Sequence, residues 1–251
     1  MTFFKLYGTL NYSLGQEQNE FLLKRVPKLA RAGIQYRTVI GMKTEKPTIG
    51  ICGGDPTSQA DAKAAYFSVT TAITMATALA EGGYPIVLPA SSGYAETFAR
   101  AYVMKWQRIQ KSLGGGGAKT PPPVTAISEF SSLGRHVDAR CPVVDGVKME
   151  FYEIGEGIGI MANYLVAISA DIVVCFREDK MDCFMTLWVA LEEKKRPVVL
   201  LKDDKSGWFT AGAVKKAQDP VGTSNLLHWF ETASQGLAEI ANIEQQLAAE
   251  A

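Results

Sequence analysis

Short, almost wholly apolar runs recur along this chain, each separated from the next by a longer stretch with helical patterning. The runs are Thr-Ile-Gly-Ile-Cys at 48–52, Tyr-Pro-Ile-Val-Leu at 84–88, Val-Thr-Ala-Ile at 124–127, Asp-Ile-Val-Val-Cys-Phe at 171–176 and Pro-Val-Val-Leu-Leu at 197–201. A strand with one wet face alternates polar and apolar residues, whereas a strand covered on both faces does not. Such runs alternating with helices predict an α/β fold: βαβ units around an open, mostly parallel sheet with helices on both faces.

The helices announce themselves at their ends. Residues 59–81 are rich in Ala and Thr, follow Ser58 with Asp61 three residues on, and run into Gly82 and Gly83. That is a capping box at the start and a left-handed glycine stop at the finish. Residues 93–111, 159–170 and 181–195 read as the second, third and fourth helices. A last helix is expected over 224–249, where Leu226, Phe230, Ala233, Leu237, Ile240 and Leu247 recur at spacings of three, four or seven. A stripe like that must be buried, on its own sheet or against a second subunit. The expected division is an N-terminal addition to the core sheet at 1–47, the α/β domain at 48–223 and a C-terminal amphipathic helix at 224–251. Residues 114–123, Gly-Gly-Gly-Gly-Ala-Lys-Thr-Pro-Pro-Pro, suit no regular element and read as a surface loop or lid.

Charge narrows the partners. In 251 residues, 26 Lys and Arg balance 26 Asp and Glu, so no overall field draws the chain to nucleic acid or to an anionic membrane. No apolar run approaches the roughly 20 residues of a membrane span, and Met1 to Lys5 lack the order of a signal peptide. A cytoplasmic protein, with neither a membrane nor a nucleic acid as partner, is expected. Cys52, Cys141, Cys175 and Cys183 lie far apart with no C-x-x-C pair, and only His136 and His228 could join them at a metal. They read as reduced thiols. Neither a metal nor a cofactor is expected.

The glycines at 114–117 followed by Lys119 and Thr120 imitate a phosphate loop. Leu113 and Ala118 stand where that motif needs glycine, however, and three prolines forbid the helix that should follow. A better anion site is the turn from Cys52 to Ser58. It follows a strand and opens a helix, so Gly53 and Gly54 let the backbone approach a ligand while Ser58 and the first-turn amides offer donors. The next such turn offers Ser91, Ser92 and Gly93. A third, after Phe176, is dense with charge: Arg177 could pair with phosphate, and Glu178, Asp179 or Asp182 could serve as ribose acceptor or general base. In open α/β sheets, ligands sit beyond the carboxyl ends of the strands, where all three turns would fall. A Ser-His-Asp triad has no support, since Gly-x-Ser-x-Gly is absent and His228 lies among Leu227, Trp229 and Phe230.

The order Ile-Cys-Gly-Gly at 51–54, long helix, Gly-Gly-Tyr-Pro-Ile-Val-Leu at 82–88, small polar turn, helix, strand, Met161 on a helix, Ala-Asp-Ile-Val-Val at 170–174, helix and Arg-Pro-Val-Val-Leu-Leu at 196–201 resembles the LONELY GUY family. It resembles equally the wider SLOG-type group of Rossmann-like domains, which includes cytokinin-activating phosphoribohydrolases, DNA-processing proteins, molybdenum-cofactor carriers and nucleotide-signal sensors. The hydrolases of that group carry Pro-Gly-Gly-x-Gly-Thr-x-x-Glu where this chain has Arg-Glu-Asp-Lys-Met-Asp-Cys-Phe-Met at 177–185, with no glycine. They also carry an Arg-Lys pair where this chain has Ala162, Asn163, Tyr164 and Leu165. The resemblance therefore implies a Rossmann-like fold and a ligand-binding edge, without the phosphoribohydrolase activity.

Three functions follow as expectations. The first is binding of a nucleotide or other phosphorylated small molecule through Gly53, Gly54, Ser58, Ser91, Ser92, Gly93 and Arg177, by a homo-oligomer, dimer or higher. The second is a nucleotide N-glycosidase with its acid or base moved to Glu178, Asp179 or Asp182. The third is a structural subunit that assembles through its C-terminal stripe.

Overall fold

Apolar runs covered on both sides become the centre of a parallel sheet. The structure, a computed structural model, describes residues 46–53, 62–91, 93–112, 122–131, 147–154, 161–176, 186–187, 189–202 and 226–249. Within them are seven strands: β1 Ile49–Cys52, β2 Ile86–Pro89, β3 Val124–Ser131, β4 Lys148–Ile154, β5 Ile172–Cys175, β6 Val198–Leu201 and β7 Leu227–Phe230. Their spatial order is β4-β3-β2-β1-β5-β6-β7, and every pairing is parallel. The helices are α1 Ala62–Gly82, α2 Tyr94–Ser112, α3 Met161–Ser169 and α4 Ala233–Ala249. This is the expected Rossmann-like α/β fold.

Each face of the sheet has its own core. Ile49 and Ile51 of β1, with Ile172, Val174 and Phe176 of β5 and its end, pack under α1, α2 and α4. Cys52, Val173, Cys175, Val198 and Leu200 point the other way, under α3 and Leu187, Val189, Ala190 and Leu191. All four residues of β1, β2, β5 and β6 are buried, which is why those runs carry no polar alternation.

The glycine stop of α1 forms as expected. Gly83 has φ of 70° and its N–H donates to Ala80 O at 3.2 Å, while the Tyr84 N–H donates to Leu79 O at 3.1 Å. That is a Schellman motif, whose left-handed position disfavours any residue with a Cβ. The threonines of α1 are tolerated in a helix because each donates to a carbonyl one turn back, as Thr70 Oγ1 does to Tyr66 O at 2.8 Å.

The C-terminus departs from expectation. Residues 227–230 are not helical; they form β7, parallel to β6, and α4 begins only at Ala233. The reason is a capping box: the Gln235 N–H donates to Thr232 Oγ1 at 3.3 Å, and Gln235 Oε1 accepts from the Thr232 N–H at 3.1 Å. Ile240 and Ile243 are buried in the core shared with α1, so this apolar face of α4 is already occupied within the chain. β4 was likewise absent from the sequence reading. The expected helix at 181–195 ends, in its described part, as a π-helical turn at Val189–Glu193 that exits through Lys195 at φ 50°. Residues 1–45 and 113–121, with most of the expected N-terminal addition and of the glycine-proline loop, lie outside the described residues.

Candidate ligand-binding edge

The chain leaves β1 for β2, β3 and β4 on one side, and returns to place β5, β6 and β7 on the other. The order reverses between β1 and β5. The chain leaving β1 and the chain leaving β5 go to opposite faces, since α1 packs in one core while Leu187, Val189, Ala190 and Leu191, which follow β5, pack in the other. At such a switch point the connections diverge and leave a crevice beyond the carboxyl ends of the two strands.

The carboxyl ends of β1, β2 and β5 lie side by side there. Cys52 and Cys175 are register partners at the last positions of β1 and β5, and the Phe176 N–H donates to Cys52 O at 3.2 Å, so pairing continues one residue past the strand. Gly53 follows Cys52, and a Cβ built on it would stand 2.8 Å from Tyr94 Cβ. Close approach, more than conformational freedom, makes glycine necessary at that position. Tyr94 opens α2 directly after Gly93, whose φ of 89° swings the chain from the β2 turn into the helix and whose carbonyl accepts the Thr97 N–H at 3.0 Å. Ser91 lies in the same turn, held by its N–H to Pro89 O at 2.8 Å. Gly53, Ser91 and Gly93 are each half-buried, so the edge is not sealed at these positions.

Large rings lie under the edge. Tyr94 stacks on Phe176 with centroids 5.9 Å apart, Phe98 lies 5.9 Å from the same ring, and Phe230 meets it edge-on at 6.3 Å. All four are at most 1% exposed. Gly53, Ser91 and Gly93 are small, and the floor beneath them is aromatic. Glu96, in the first turn of α2, would oppose an anion, but Arg100 holds it at 2.8 Å and balances its charge.

Of the residues singled out in the sequence, Gly53, Ser91 and Gly93 come to this one edge. Gly54, Ser58, Ser92, Arg177, Glu178, Asp179 and Asp182 lie outside the described residues. Sequence reasoning missed Tyr94 and Phe176, which are fully buried beneath the edge. Tyr94 carried a signal, as an aromatic residue directly after the glycine that opens a helix. Among the described residues there is no group of three or more His, Cys, Asp or Glu that could hold a metal, and no helix long and apolar enough to cross a membrane.

No protein-family model matches the chain, and no curated protein matches it. Solved structures do. The molybdenum cofactor binding protein of Rippkaea orientalis is 17% identical with a TM-score of 0.50, over 79% of this chain and 97% of that one. The molybdenum cofactor carrier protein of Chlamydomonas reinhardtii is 18% identical with a TM-score of 0.51, over 81% and 99%. DNA processing protein A of Helicobacter pylori, described by its single-stranded DNA binding mode, is 16% identical with a TM-score of 0.52, over 82% of each chain. At these identities the likeness is one of fold.

Proposed function

We propose that this chain binds a nucleotide or another phosphorylated small molecule over the carboxyl ends of β1, β2 and β5, as a divergent SLOG-type domain that lacks phosphoribohydrolase activity. The observation that carries the reading is the meeting of Gly53 with Tyr94 beside the switch point, which joins the turns after β1 and β2 into one half-buried edge. Backbone amides at glycine turns and at the start of a helix are suited to a phosphate or carboxylate. In this reading Gly53, Gly54 and Gly93 give backbone contacts, Ser58, Ser91 and Ser92 give hydroxyls, and Arg177 pairs with the charge. The absence of glycine from residues 177–185 removes the phosphate cradle of the hydrolases, and Ala162, Asn163, Tyr164 and Leu165 stand where they carry an Arg-Lys pair. The structural neighbours support a small-molecule site on this fold, two of them being named for a molybdenum cofactor. The equal count of acidic and basic residues argues against the DNA role of the third.

The test is mass spectrometry of small molecules released when the purified protein is denatured, followed by calorimetry with nucleoside monophosphates and the released compound. Recovery of a phosphorylated compound that rebinds supports the proposal. Silence across the panel at millimolar concentration overturns it. Release of free base from a nucleoside monophosphate, lost on replacing Glu178, Asp179 and Asp182, would establish the glycosidase instead.

A further inference from the structure

The topology places two thiols together that the sequence holds far apart. Cys52 and Cys175 end adjacent parallel strands as register partners. Both side chains belong to the core on the α3 side, both are fully buried, and neither is joined in a disulfide. Neighbouring strands run about 4.8 Å apart, and the Cα separation of natural disulfides spans about 4.4–6.8 Å. Register partners on parallel strands present their side chains to the same face, so the two sulfurs stand on one side of the sheet with their backbones in the Cα range of a bridge.

We propose that Cys52 and Cys175 form an oxidisable dithiol, a modification site at which a peroxide-class oxidant closes a disulfide between the tips of β1 and β5. In the first step the sulfur of one thiolate displaces one oxygen of hydrogen peroxide, giving a sulfenic acid and, after proton uptake, water. The second sulfur then attacks the first, forms the S–S bond and expels the sulfenic oxygen as a second water. The two sulfurs lose two electrons and the peroxide gains them. Both thiols are fully buried, so oxidation requires local opening of the sheet and its rate is set by that opening rather than by the ordinary reactivity of an exposed thiol. The bond would clamp the two strands that border the switch point. The site stands on the strand register alone, whatever ligand the edge takes.

The experiment uses the whole chain, reduced and then treated with hydrogen peroxide. Remaining thiols are alkylated in denaturant and the protein is digested with trypsin without reduction. The expected result is an intact mass, read before alkylation, lower than that of the reduced chain by two hydrogen atoms, and after digestion a crosslinked species joining residues 44–63 to residues 149–177, which carry Cys52 and Cys175. Full alkylation of Cys52 and Cys175 after peroxide treatment overturns the proposal, as does stable oxygen addition at either one, or their pairing with Cys141 or Cys183.

Discussion

Gly53 and Tyr94 approach so closely that a single methyl group on the glycine would lie 2.8 Å from Tyr94 Cβ and 3.0 Å from its ring carbon Cδ2. Tyr94 is fully buried and stacked on Phe176, so it has no room to retreat. Gly53→Ala is expected to destabilise the fold by about 1–3 kcal/mol, the usual consequence of overpacking a filled core. Urea denaturation measures it, and a change below about 0.5 kcal/mol would show that the contact can relax.

Phe176 is the hub of the aromatic floor, touching the rings of Tyr94, Phe98 and Phe230 at 1% exposure. Phe176→Ala removes a large buried side chain from the junction of β5 with α2 and β7, with an expected cost of about 3–5 kcal/mol. The same denaturation experiment reads it. A loss no larger than that of an exposed substitution would show that the cluster is not packed as described.

The capping box at the start of α4 is exposed, so it can be tested without disturbing the core. Thr232→Ala removes the oxygen that accepts the Gln235 N–H and is expected to cost about 1 kcal/mol. Thr232→Ser should restore most of it. Equal stability of all three proteins would rule out a stabilising cap.

Two tyrosines make stability fall in alkali. Burial first, and the hydrogen bond to Glu244 second, push the Tyr84 hydroxyl well above its ordinary value of 10.0. Burial alone raises Tyr102, whose hydroxyl donates to Tyr84 O at 2.6 Å. Below pH 10 both folded and unfolded chains keep these protons, and the contribution is whole. As pH rises past the ordinary value the unfolded chain loses its protons first, so unfolding becomes easier. Denaturation midpoints should drop as pH rises above about 10, and less steeply in Tyr102→Phe. A slope identical in that variant and the parent would contradict the assignment.

What could be read in the sequence follows from what the residues face. The runs of β1, β2, β5 and β6 were legible because burial on both sides strips a strand of polar alternation. The two edge strands were not. β4 reads Lys-Met-Glu-Phe-Tyr-Glu-Ile, where charges interrupt the pattern, and β7 is four residues whose Phe230 falls in phase with the helical stripe that follows. The Thr-Ala-Ser-Gln cap at 232–235 was available as a signal and was hidden by that same stripe. At the site, Gly53, Ser91 and Gly93 were legible as turns that local chemistry demands. The stacking of Tyr94 on Phe176 and the pairing of Cys52 with Cys175 were not, because both arise only when β1, β2 and β5 come together in the sheet.

The most direct test of the proposed ligand-binding edge is residue-specific: amide chemical shifts of the isotope-labelled chain during titration with a nucleoside monophosphate or with the compound recovered from the purified protein. The largest shifts are predicted at Gly53, Ser91 and Gly93, with Tyr94 following as the first residue of α2. Binding that leaves these amides unmoved while shifting others would contradict the account.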